Sequence, residues 1–264
     1  HHDHIVFTGS VGVGRYLQQA NAVNFSGIDL ELGGKDPAYV RADANVDFAA
    51  ESLVDGAFFN SGQSCCGIER IYVHKDVYRP FLDKVVEVVS AYRLGDPTDP
   101  KATLGPVVKT GAADFVRGQI DDAVADGARS LIDPAHFPEN KPGTPYLAPQ
   151  VLVDVTHDMR VMTEESFGPV IGIMAVDNDA QAVELMNDSD FGLTASIWTE
   201  DMTAAEAISA QLDTGTCFAN RCDYLDPGLA WTGVKDTGRG CSLSIHAYEH
   251  LTRLKSYHFR TQPE

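Results

Sequence analysis

The chain is poor in positive charge. Its 20 Lys and Arg face 38 Asp and Glu, a net charge of −18 over 264 residues. Phosphate backbones are gripped by Lys and Arg, so this balance argues against a nucleic-acid-binding face. Cysteine is also scarce: Cys65, Cys66, Cys217, Cys222 and Cys241. An odd number in a chain this long is no disulfide framework and points to a reducing, cytoplasmic setting. Long apolar runs are missing too. The most apolar stretch, Pro169 to Val176, falls well short of the ~20 residues a membrane helix needs. It is short and β-branched, so it reads as a buried strand. No secretory signal, internal repeat or low-complexity segment is legible. What remains is an ordinary globular composition, 44% hydrophobic and 22% charged, with material for a sizeable core.

The pattern along the chain alternates strands and helices. Strand-like runs fall at Ile5–Phe7, Ile28–Leu32, Ile71–Val73, within Tyr146–Val155, and at Val170–Val176, Ser196–Trp198 and Thr216–Ala219. Helical spacing fits Arg15–Ala22, Val46–Phe59, Val77–Tyr92, Ala112–Asp126, Ala180–Asn187 and Ala204–Leu212. Strands alternating with helices predict an α/β fold built on a mainly parallel sheet flanked by helices. The tail from Leu251 to Phe259 alternates weakly and is expected to form a late strand. The opening His1-His2-Asp3-His4 reads as a tag remnant or ordinary loop rather than a metal site, and His74 and His157 read as surface positions without metal-ligand spacing.

Two stretches carry chemistry. In Phe58-Phe59-Asn60-Ser61-Gly62-Gln63-Ser64-Cys65-Cys66, two cysteines sit in a polar loop of small residues between a helix and an apolar strand. A structural cysteine sits inside an apolar pattern. A nucleophilic one needs an accessible loop and a helper that favours the thiolate. Glu31, in Leu30-Glu31-Leu32-Gly33-Gly34-Lys35, is a candidate helper. Taken alone it reads as a strand-end carboxylate. A third stretch, Thr8-Gly9-Ser10-Val11-Gly12-Val13-Gly14, lies between a strand and a helix. Gly9, Ser10 and Gly14 there either meet a pyrophosphate at a helix N-terminus or serve only a turn that needs glycine.

Together these motifs resemble the aldehyde dehydrogenases. Glu31-Leu32-Gly33-Gly34-Lys35 is similar to that family's glutamate motif, and Phe58 to Cys65 to its cysteine motif. Glu164-Glu165-Ser166-Phe167-Gly168-Pro169-Val170 resembles its Glu-x-Phe-Gly-Pro segment. Gly215-Thr216 with Asn220, then Gly233-Val234-Lys235 and Gly238-Arg239, resemble its C-terminal landmarks, and Phe7-Thr8-Gly9-Ser10 its last phosphate-contacting turn. The set occurs in family order from Ile5 to about Tyr257.

The resemblance implies NAD(P)-dependent oxidation of an aldehyde to a carboxylic acid through a hemithioacetal and a thioester. Cys65, two positions after Gln63, would be the nucleophile, with Cys66 a packed neighbour, and Glu31 the general base. The Cys65 backbone N–H is a candidate oxyanion donor. Gly9 and Ser10 would face the cofactor phosphates, the Leu32 main chain the carboxamide, Glu165 the ribose and Phe167 the nicotinamide of NAD or NADP. Lys35 is expected to be structural, pairing with an acid in the cleft, and Asn220 to shape the substrate mouth or a turn.

The resemblance also implies a division of the chain. Residues 1–33 would be a remnant of a Rossmann-like cofactor domain, 34–233 the catalytic domain, and 234–264 a segment returning to the cofactor domain or pairing with another subunit of a homo-oligomer. Segments for the adenosine site and the oxyanion asparagine have no match, and Gly240 stands where many relatives carry a glutamate. A cofactor-independent thiol esterase and a non-catalytic truncated remnant are the competing readings.

Overall fold

The computed structural model describes residues 2–262; His1 lies outside them. Two sheets organise the chain. The smaller joins β1 (His4–Thr8), β2 (Gly27–Glu31) and β12 (Gly238–Arg239) in the order β1-β2-β12. Strands β1 and β2 run parallel, with Thr8 opposite Glu31, and β12 runs antiparallel to β2, with Gly238 opposite Glu31. Helix α1 (Val11–Asn21) packs on it through Val11 and Leu17 against Ile28, Leu30 and Leu32.

The larger sheet has seven strands: β3 (Asp36–Val40), β4 (Ile68–His74), β5 (Arg129–Ser130), β6 (Gln150–Val153), β7 (Val170–Val176), β9 (Thr194–Trp198) and β10 (Thr216–Ala219). Their order is β10-β9-β3-β4-β7-β6-β5. Every pairing is parallel except the β5–β6 edge, which makes it the mainly parallel sheet that the alternation predicts. One face buries α2 (Val46–Phe58) and α3 (Lys75–Ser90) through Leu53, Phe58, Phe81 and Val85, against Ile71 and Ile173. The other packs α6 (Asp179–Asn187) and α7 (Met202–Ser209) against Tyr39, Tyr72 and Ile197. Near β6 and β7, α4 (Thr110–Ala125) and the single turn α5 (Arg160–Thr163) close a third apolar cluster. A two-residue ladder of β8 (Phe191–Gly192) and β11 (Val234–Lys235) ties the C-terminal segment to the large sheet, and α8 (His246–Leu251) follows.

Three expectations are corrected. The helix after β1 begins at Val11, not Arg15, so Gly12 and Gly14 lie inside it and only Gly9 and Ser10 form the turn. Strand β3 is read nowhere in the sequence, because Asp36 and Pro37 are residues that strands avoid; Asp36 is nonetheless buried and accepts bonds from the Thr194 N–H and hydroxyl. The tail forms no strand: Leu251 ends α8, and 252–262 has no regular structure, with Leu254, Tyr257 and Phe259 exposed. Weak alternation alone does not hold a strand that has no ladder partner.

Candidate active site

In a parallel sheet all N-terminal strand ends lie on one edge. The segment before β3 carries Glu31 to Lys35, the one before β4 carries Cys65, and the one before β7 carries Glu165 and Phe167. The topology therefore gathers these three motifs, separated by up to 136 positions, at a single edge.

The cysteine loop is a left-handed turn. Asn60, Ser61 and Gly62 take φ of 51°, 59° and 75°. Two of them are not glycine, a strained arrangement that persists only where the surroundings enforce it. They do so here. Asn60 and Gln63 exchange side-chain-to-carbonyl bonds, the Ser61 hydroxyl donates to the Gly105 carbonyl at 2.7 Å, and the Val108 N–H donates to the Gln63 side chain at 2.7 Å. Gly62 is required twice over, since a Cβ there would collide with the Gly168 carbonyl. The turn delivers Cys65 half-buried, while Cys66 is buried, as a packed neighbour should be. The Cys66 thiol donates to Asp223 at 2.9 Å, as does the Ser64 hydroxyl at 2.9 Å. Hydrogen bonding from Cys66 draws the Cys65 thiol below its ordinary pKa, and burial opposes it; Cys66 is pushed the other way.

Glu31 ends β2, half-buried, and faces the same narrow crevice as Cys65, between Leu193, Trp231 and Gly240. Its free volume is about 10 Å³, on the order of one water molecule. The Ser242 hydroxyl donates to the Glu31 carboxylate. Beside the cysteine loop a wider recess of about 460 Å³ is lined by Phe48, Phe59, Asn220, Arg221 and Asp223 among others. Asn220 sits in a turn (φ 53°) and lines this recess, its amide bonding the Thr199 N–H and carbonyl.

The two strand-end motifs touch one another. Glu165 accepts from the Gly34 N–H at 3.1 Å, and a Cβ on Gly33 would fall on the Glu165 carboxylate, so Gly33 is what permits the approach. Burial raises the Glu165 carboxyl to about 7, ahead of repulsion from Glu69. Phe167 is part-exposed and left-handed, with φ 51°. Leu32 is buried and its N–H donates to the Thr237 carbonyl at 2.9 Å.

The glycine-rich turn is less directly placed. Ser10 caps α1 from an extended conformation with no side-chain cap bond. The Gly9 N–H is occupied by the Glu31 carbonyl at 3.1 Å. Gly14, which the sequence leaves open between a phosphate contact and a turn, lies inside α1, where its missing Cβ leaves room for Leu32, whose methyl carbons would lie 2.7 and 2.8 Å from it. Lys35 pairs with an acid as expected, the buried Glu69. His157 is corrected from a surface position: only 14% of its side chain is exposed, and it bonds Tyr72 at 2.7 Å and Asp188 at 2.8 Å. Among the described residues no cluster of His, Cys, Asp and Glu is built to hold a metal. Ser242, Trp231, Asp223 and Glu69 escaped the sequence reading.

The model of the aldehyde dehydrogenase family matches residues 1–257. The chain belongs to that family. Among aldehyde dehydrogenases, it is 37% identical over 250 residues to a vanillin dehydrogenase of Pseudomonas sp. (strain HR199 / DSM 7063), covering 94% of this chain and 50% of that protein. It is 35% identical to a betaine aldehyde dehydrogenase of Cereibacter sphaeroides (strain ATCC 17029 / ATH 2.4.9), covering 98% and 53%. The fold superposes on the Mycobacterium tuberculosis aldehyde dehydrogenase complexed with NAD+ with a TM-score of 0.89 at 33% identity, covering 95% of this chain and 52% of that one. The NADP-dependent glyceraldehyde-3-phosphate dehydrogenase of Bacillus halodurans C-125, complexed with NADP, gives 0.86 at 37%, covering 95% and 50%. The chain thus spans about half the length of the relatives it matches.

Proposed function

We propose that the protein containing this chain oxidises an aldehyde to a carboxylic acid with NAD or NADP, using Cys65 as nucleophile and Glu31 as general base. The supporting observation is that both residues line one crevice at the edge where the strands of the large sheet begin.

The Cys65 thiolate adds to the carbonyl carbon, forming a C–S bond and placing negative charge on the oxygen. The Cys65 N–H faces that oxygen as one donor. A bound nicotinamide would accept the hydride lost by that carbon, and a thioester would remain on Cys65. Glu31 then takes a proton from water as the water oxygen attacks the thioester. The C–S bond breaks, the acid departs and the thiolate is restored. Ser242 orients the Glu31 carboxylate through its hydroxyl. Trp231 and Leu193 form the apolar wall that keeps bulk water from the sulfur.

The site fits the cofactor on four counts. Glu165 is a half-buried acceptor suited to ribose hydroxyls, and Phe167 offers a part-exposed ring to the nicotinamide. Ser10 heads an 11-residue helix whose first amides have no side-chain cap, suited to a phosphate. Gly9 contributes there by close approach, its N–H being spent. Leu32 places its main chain beside them for the carboxamide.

On this reading residues 1–33 are the end of a cofactor domain, 34–233 the catalytic domain, and 234–264 a segment completing the small sheet and pairing with a second subunit. The open apolar side chains of that segment support the last point, and five unpaired thiols fit a reducing, cytoplasmic setting.

The test is aldehyde-dependent reduction of NAD+ or NADP+. Cys65→Ala should lower it by on the order of a thousandfold or more. Unchanged turnover in Cys65→Ala refutes the reading. Ester cleavage through Cys65 in a protein that reduces neither cofactor would assign a thiol esterase instead.

A further inference from the structure

Glu69 is the second residue of β4, and its carboxylate is buried under the loop that leads into β7. Side-chain exposure is 0% for Lys35 and 5% for Glu69. Two charges removed from water in this way cost more than their attraction returns unless further hydrogen bonds complete them. The further bonds here all go to one target. Glu69 Oε2 accepts from the Ser166 N–H at 2.8 Å and from Lys35 Nζ, and Oε1 accepts from the Phe167 N–H at 2.9 Å and the Ser166 N–H at 3.1 Å. Lys35 Nζ also donates to the Ser166 hydroxyl at 3.1 Å. The Lys35 main chain is fixed in turn, its carbonyl accepting from Arg70 Nε at 2.9 Å.

Phe167, whose amide Glu69 holds, is a bulky residue at φ 51°. Such a conformation persists only where the surroundings over-determine it. Glu165, one residue before Ser166, is bonded to Gly34, the residue before Lys35. The Lys35–Ser166 and Glu165–Gly34 bonds are therefore two adjacent stitches between the same two segments, with Glu69 of β4 bonded to both.

We propose that Glu69 is a positioning residue for the dinucleotide: its carboxylate, anchored by Lys35, holds the Ser166 and Phe167 amides and so sets where Glu165 and Phe167 meet the nicotinamide riboside. This rests on the cofactor reading above. The acceptor oxygens at the loop amides carry the role; the ionic charge serves to keep them in place.

Two matched double variants separate these parts. Lys35→Met with Glu69→Gln removes both charges and keeps an amide oxygen as acceptor. Lys35→Met with Glu69→Leu removes both charges and the acceptor. Neither leaves an unpaired charge buried. Melting curves establish that each is folded, and Glu69→Asp, which keeps the charge and shortens the reach, replaces the Leu variant if that one is not. Binding of NAD+ and NADP+ is followed by fluorescence titration, and amide exchange of Ser166 and Phe167 by mass spectrometry. The Leu variant should bind dinucleotide about tenfold more weakly than the Gln variant, with Ser166 and Phe167 exchanging about tenfold faster, the equivalent of one or two lost hydrogen bonds. Alkylation of Cys65 by iodoacetamide should differ by less than about twofold, because the sulfur is held by the other loop. Equal dinucleotide affinity in the two variants, with binding intact in the unaltered protein, overturns the role of Glu69 alone. Equal exchange at Phe167 overturns it as well. No dinucleotide binding by the unaltered protein overturns the cofactor reading itself.

Discussion

Cys65 and Glu31 face one crevice from very different platforms. Cys65 hangs from β4, in the middle of a seven-stranded sheet with buried side chains on both faces. Its turn is pinned by Ser61, Gln63 and the Gly62–Gly168 contact. Glu31 ends the middle strand of a three-stranded sheet whose core is Ile28, Leu30 and Leu32, with Val6, Tyr16 and Phe25 open to solvent. Cys65 is over-determined by its surroundings. Glu31 is placed by a short ladder and by Ser242. The lesson is that the same crevice depends on two supports of unequal stiffness, and damage to each should read out differently.

The largest effect should come from the sulfur itself, with Cys65→Ala abolishing turnover as above. Glu31→Gln should slow thioester hydrolysis by about 10²–10⁴-fold, the range of general-base catalysis, while acylation of Cys65 is retained. Rapid-quench kinetics that separate the two half-reactions check this. Equal slowing of both halves would place Glu31 in thiol activation instead.

Glycine substitutions contrast the platforms through stability. Gly62→Ala forces a Cβ onto the Gly168 carbonyl at a left-handed φ and should cost about 1–3 kcal/mol in urea unfolding. Gly12→Ala on the small-sheet side, in a helix where the added Cβ meets nothing within 4 Å, should stabilise by up to about 1 kcal/mol. A Gly62→Ala protein as stable as its parent would show that the cysteine turn is not over-determined.

A pH dependence of stability contrasts the platforms in another way. Glu165 titrates near 7 in the folded chain because burial raises it from its usual 4.5. An acid that keeps its proton longer when folded loses stability on ionising. Stability should therefore fall as pH rises from about 4.5 to about 7, by at most about 3 kcal/mol. Glu165→Gln should flatten that part of the profile, read as the urea midpoint at successive pH values. Asp36, also raised by burial, contributes the same sign in both proteins and cancels from the difference.

Much of this was legible in the sequence. The Cys65 loop and the Glu31 strand end are local in composition, so alternation and small polar residues expose them. The support between them was not legible, since it is assembled from distant positions. Glu69 sits in Ile68-Glu69-Arg70-Ile71-Tyr72-Val73 and reads as a polar interruption of an apolar strand; its partners lie 34 positions before it and 97 after it. Trp231 lines the crevice and Ser242 bonds Glu31 from the stretch after β10, which has no periodicity to place it. Gly14 stayed open for a different reason: a glycine that meets a phosphate and one that packs against Leu32 look alike in sequence.

On the proposed reading Cys65 is acylated and Glu31 clears the acyl group across one crevice. Intact mass spectrometry after a pulse of p-nitrophenyl acetate tests it without any cofactor. The Glu31→Gln protein should carry one acetyl group, mapped to Cys65, that persists long after the unaltered protein has lost its own, and Cys65→Ala should carry none there. An acetyl group that decays at the same rate in the two Cys65-containing proteins, or that maps to another residue, would contradict the account.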